Sequence, residues 1–116
     1  MLLLLASIGT AFAQDTIRYV APPPQGSPGY VLWSSALAAR QCAQAVLKGW
    51  NTREWCEDGI APGVKPKLGH LEPATPVERL DSTECRDTVQ VRVLEGALKG
   101  QVGCVAGAGL TSIKPQ

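Results

Sequence analysis

Charge is sparse and balanced in this 116-residue chain: 11 Lys and Arg stand against 10 Asp and Glu, for a net charge of +1. There is no basic run, since the densest cluster, Lys65-Pro66-Lys67, is split by a proline. A nucleic-acid binder carries a basic face or stripe, so nothing here supports DNA, RNA or an acidic membrane surface as partner. Histidine is nearly missing too. His70 is the only one, and between Leu68 and Leu71 in a strand-like run it reads as structural. The four cysteines are spaced 14, 29 and 19 residues apart; none of these gaps is the C-x-x-C spacing of a zinc site. No G-x-S-x-G surrounds Ser34-Ser35. The carboxylate pairs Glu57-Asp58 and Glu84 with Asp87 fall in polar segments, where solvated charges are the ordinary reading. The expectation is no metal, no cofactor and no enzyme.

The N-terminal segment MLLLLASIGTAFA lacks charge altogether and is almost wholly apolar. It is too short for a membrane-spanning helix, which needs about 20 apolar residues. It ends in Ala11-Phe12-Ala13, an A-x-A site with small residues at the −3 and −1 positions. Residues 1–13 therefore read as a secretory signal peptide cleaved before Gln14, although the usual basic n-region is missing. The competing reading is an uncleaved apolar anchor. No cysteine sits at the cleavage site, which argues against a lipoprotein. Cleavage leaves 103 residues, enough for one domain with no membrane span. An exported protein, periplasmic or secreted, follows.

Export gives the cysteines a purpose. Cys42, Cys56, Cys85 and Cys104 are an even set in an oxidising compartment, so two disulfides are expected, with three pairings open. Pairing neighbours, Cys42 with Cys56 and Cys85 with Cys104, is the preferred arrangement. Each closes a loop of about 15–20 residues, worth roughly 3 kcal/mol in the chain-entropy description.

Ile17 to Val20 is a short apolar run that suits a strand, followed by the proline- and glycine-broken APPPQGSPG. From Tyr30 to Trp50, apolar residues at Leu32, Ala36, Ala39, Ala43, Val46, Leu47 and Trp50 keep helical spacing. Ser34 or Ser35 suits the N-cap and Gly49 the C-terminal stop. One face of this helix should pack on the rest of the chain. Trp33 and Trp50 read as core residues. Trp55, flanked by Arg53, Glu54 and Glu57, reads as partly exposed, and Trp55 with Arg53 is the candidate contact patch, because aromatic and arginine side chains are common at recognition surfaces. Beyond a loop at IAPGVKPKLGH come four short strand-like runs: Leu68 to Leu71, Pro76 to Leu80, Thr88 to Leu94 and Gln101 to Ala106. In TVQVRVL the alternation of Val89, Val91 and Val93 with Gln90 and Arg92 is that of a half-buried strand.

GQVGCVAGAGL, residues 100–110, holds four glycines. A phosphate-binding glycine loop must open a helix. Only seven residues follow Gly109, one of them Pro115, and neither G-x-x-x-x-G-K-[ST] nor a complete G-x-G-x-x-G is present. What the stretch does resemble, as part of VRVLEGALKGQVGCVAGAGL, is the C-terminal part of bacterial SH3-like (SH3b) domains. There a V-x-V strand and a turn lead into G-x-x-G-[WY]-V-x-x-x-x-L, and Gly100, Gly103, Val105 and Leu110 stand at those positions. LGHLEPATPVERLD is similar to the first hairpin of that family. The resemblance covers about residues 63 to 114. Two positions depart from it: Cys104 replaces the preferred Trp or Tyr, which fits a bond to Cys85, and Ala74 stands where the turn often has glycine. GSPGYVLWSSAL, residues 26–37, is a faint echo of residues 100–110 with one residue inserted, and as a true repeat it would end a strand.

The expected fold is therefore α+β: a small SH3-like β-barrel in the C-terminal half, 63–116, preceded by an N-terminal α-helix in a segment, 14–62, that packs on it. The resemblance implies a non-catalytic binding module engaging cell-wall peptide or an envelope protein. The alternative is a small secreted inhibitor or effector that blocks a partner enzyme.

Overall fold

The computed structural model describes residues 16–59 and 64–116; the segment read as a signal peptide, with its cleavage site, lies outside the described residues. Seven strands form one sheet: β1 (Ile17–Val20), β2 (Tyr30–Trp33), β3 (Lys67–Leu71), β4 (Pro76–Arg79), β5 (Val89–Val93), β6 (Val102–Val105) and β7 (Leu110–Thr111). Their order is β3-β2-β6-β5-β4-β1-β7, and every neighbouring pair is antiparallel. The α-helix α1 (Ala36–Lys48) follows β2, and a π-helical turn, Arg53–Asp58, follows α1.

Alternation builds the core. In β5, Val91 and Val93 are buried while Arg92 between them is exposed. The register sets Val77 opposite Val93, and Val91 opposite Gly103. Side chains opposite one another share a face, so Val20, Leu32, Leu71, Val77, Val91, Val93 and Val105 converge into one cluster. No polar or charged residue is buried among the described residues.

The expected barrel is not formed. The sheet is open, with β3 and β7 as its edges and no ladder joining them among the described residues. The reason lies in the N-terminal third, which supplies two strands. β1 sits between β4 and β7, and β2 between β3 and β6. Without them, β3 and β7 would have no pairing partner. Residues 63–116 thus do not close on themselves. The turn before β7 does approach β2: Gly109 rests on the Tyr30 ring, where a Cβ would lie 2.8 Å from it, and the Tyr30 hydroxyl is 3.5 Å from the Ala108 carbonyl oxygen.

The helix also differs from expectation. Tyr30–Trp33 is strand rather than helix, pairing with β3 on one side and β6 on the other. Val, Trp and Tyr suit a pleated, half-buried surface, and two ladders outweigh a helical spacing that extends only from the C-terminal side. Ser35 is the N-cap, its hydroxyl accepting from the Ala38 N–H at 3.0 Å. The helix buries Ala36, Ala38, Cys42 and Ala45. Of the stripe expected to pack inward, Leu32 and Ala36 are buried but the C-terminal part is turned out, with Val46 64% and Leu47 85% exposed. Cys42, bonded to Cys56, fixes which side faces in.

Both disulfides join sequence neighbours: Cys42–Cys56 and Cys85–Cys104, with Cα–Cα distances of 4.8 and 5.6 Å. The first ties α1 to the π-helical turn. The second ties the β4–β5 connection to β6. No helix among the described residues is long and apolar enough to cross a membrane.

Candidate functional site

The tip built by α1 and the turn after it gathers the residues singled out from the sequence. Alanine-rich α1 stops at Gly49, which has a φ of 72°. The N–H of Trp50 then donates to the Ala45 carbonyl at 2.9 Å, the six-to-one bond of a Schellman stop. This reverses the chain and throws Trp50 beyond the helix. Asn51 caps the next turn, its Oδ1 accepting from the Glu54 N–H at 3.3 Å. The Gly59 N–H reaches back to the Glu54 carbonyl at 2.8 Å. Such π-helical turns are rare and concentrate at functional sites. The Cys42–Cys56 bond clamps this turn against α1.

The clamp brings two tryptophans together. The Trp50 and Trp55 ring centroids lie 5.1 Å apart with planes tilted by 35°, a favourable offset arrangement. Lys48 Nζ sits 5.0 Å above the Trp50 ring, within cation–π range. Trp50 was expected in the core and is instead 39% exposed, because the chain reverses at Gly49. Trp33 is half-buried on β2, and Trp55 is half-buried at the tip.

Arg53 opens the turn, fully in solvent, with Nε 3.7 Å from Asp58 Oδ2. It also borders a groove of about 400 Å³ with Val46, Thr52, Glu57, Lys67 and the Cys42–Cys56 pair. Neither Trp55 nor Trp50 lines this groove; the two rings pack on one another. Across the groove, Lys67 Nζ donates to Glu57 Oε1 at 2.9 Å. That hydrogen bond, and then the Lys67 charge, hold the Glu57 carboxyl below its ordinary value of 4.5. The pair pins the turn to β3.

Sequence reasoning singled out Arg53 and Trp55; it did not foresee that Lys48 and Trp50 gather beside Trp55, or that Val46 and Lys67 border a groove with Arg53. The readable signal was Gly49: a left-handed stop there implies that Trp50 leaves the helix. His70, on β3, is exposed. Among the described residues no group of three His, Cys, Asp or Glu side chains is placed to hold a metal ion. No protein-family model matches the chain, and neither a curated protein nor a solved structure does.

Proposed function

We propose that the protein is a non-catalytic exported binding module, and that the α1 tip is its contact surface for an envelope protein. One observation carries this reading. A disulfide-clamped tip presents Val46, Leu47 and the Trp50–Trp55 pair to solvent beside a groove bordered by Arg53 and Lys67. Isolated exposed apolar residues need no explanation, but an adjoining set rimmed by polar groups marks an interaction surface. Tryptophan and arginine are the residues that dominate binding at such surfaces, and a rigid support lowers the entropy lost on docking. The two disulfides accord with export.

Site-directed photo-crosslinking from Leu47 in the source cell tests the proposal. One discrete protein adduct that fades in the Trp50→Ala and Arg53→Ala variants is the expected result. The absence of a protein adduct, together with pelleting of the purified protein on peptidoglycan sacculi, overturns it in favour of cell-wall peptide as the ligand.

A further inference from the structure

At the opposite kind of surface from the apolar tip, three arginines from separate stretches of chain meet at one end of the sheet. In the ladders, Arg18 stands opposite Val77 and Arg79 opposite Val91. Both valines are fully buried, so the two arginines extend the core-facing side of the sheet past its last apolar layer. Arg86 joins them from the β4–β5 connection. Together with Asp81, Ser82, Thr88 and Gln90 they line a cavity of about 350 Å³. A second cavity of about 360 Å³ adjoins it across Arg18, Arg79 and Val89.

The charge in this cavity is not balanced. Among the described lining residues, Arg79 and Arg86 bring two guanidinium groups against the single carboxylate of Asp81. Neither Arg79 nor Arg86 forms an ion pair with a carboxylate of the described residues, whereas Arg53, Lys67 and Arg92 each do. Arg86 is moreover held at a φ of 51°, a left-handed conformation uncommon for a residue with a Cβ. Its own N–H donates to the Thr83 carbonyl at 3.2 Å, and the Thr88 N–H and hydroxyl both donate to the Cys85 carbonyl, at 2.9 and 2.6 Å. Cys85 is in turn bonded to Cys104 on β6. The turn that aims Arg86 is therefore anchored covalently to the sheet that carries Arg79.

We propose that this end of the sheet binds a small dianionic ligand, a dicarboxylate or a phosphate, held between Arg79 and Arg86. Guanidinium groups grip oxyanions through paired N–H donors. The cavity lies in the size range of small-ligand sites, about 300–1,000 Å³. Ser82 adds a hydroxyl donor, because its oxygen already accepts from the Glu84 N–H at 3.1 Å and its hydrogen is left to point elsewhere.

The test is a nitrogen-15 NMR titration of the disulfide-bonded protein with inorganic phosphate and, separately, with succinate, at ionic strength held constant by sodium chloride. The expected result is saturable movement of the Ser82 to Thr88 amides with a dissociation constant below about 1 mM. Response to phosphate alone, or to succinate alone, names the ligand class, and either supports the site. Arg79→Gln and Arg86→Gln should each weaken binding at least about tenfold, and Asp81→Asn should tighten it. Lys99→Gln removes an equal charge at the β5–β6 turn and should leave binding unchanged. A linear, unsaturating response to both anions overturns the proposal. So does binding that survives loss of both arginines, or that Lys99→Gln weakens as much as they do. The site is separate from the α1 tip, so loss of the tip's partner leaves this result standing.

Discussion

Ala74 adopts a φ of 67° in the turn between β3 and β4, where its N–H donates to the Val20 carbonyl at 2.7 Å. A Cβ in this region costs about 1–2 kcal/mol, while glycine adopts it freely. Ala74→Gly should therefore raise the stability by up to about 1 kcal/mol, after the added freedom of the unfolded chain is subtracted; a urea midpoint checks it. Gly103 poses the reverse problem. A Cβ there would run into the Trp33 carbonyl and the Leu32 side chain across the β2–β6 contact. Gly103→Ala should destabilise by about 1–3 kcal/mol, the usual range for overpacking. Glu57 offers a pH test. Its carboxyl is held below the ordinary value by Lys67, so the pair stabilises the fold above pH 4.5 and loses that effect as pH falls through the lowered value. Both groups are partly in solvent, so the difference between the wild type and Glu57→Gln should stay within about 1 kcal/mol near neutrality and vanish in acid. The glycine positions were partly legible: the turn at Ala74 already stood out against the SH3-like resemblance. Gly103 was legible as part of a glycine-rich strand, but the backbone it touches comes from β2, which helical spacing had hidden.

The α1 tip belongs to the scale of elements. Its helix cap, its stop at Gly49 and the cysteine pairing all follow from local chemistry, and local chemistry is what a sequence displays. The face of α1 that turns inward does not. Alanine and cysteine at Ala38, Cys42 and Ala45 make a smaller apolar stripe than Val46, Leu47 and Trp50, and only the bond to Cys56 decides between them. Replacing Cys42 and Cys56 together by serine should cost about 3 kcal/mol. It should also erase the near-ultraviolet circular dichroism of the Trp50–Trp55 pair, because the turn that carries Trp55 loses its clamp. Circular dichroism before and after the substitution reads both effects. The arginine cluster was invisible for a different reason: Arg18, Arg79 and Arg86 form no run, and only the strand registers and the anchored β4–β5 connection bring them together.

For the whole molecule, interleaving is the governing fact. Five strands, β1 and β3 to β6, read correctly along the chain, yet β3 is paired only through β2 and β7 only through β1. A fragment of residues 63–116 should show no cooperative unfolding transition, since β3 and β7 lose the strands they pair with; thermal denaturation followed by circular dichroism decides. The same interleaving sets β1 and β7 side by side and antiparallel, with Tyr19 opposite Thr111 and Val20 opposite Leu110. The start of β1 and the residues after β7 therefore leave the domain at neighbouring points. A short linker could fuse these two points, and the chain could be reopened at the Gly96 to Gly100 turn, with every ladder kept and only the connectivity permuted. By the same geometry the domain can be spliced into a loop of another protein without forcing its host apart.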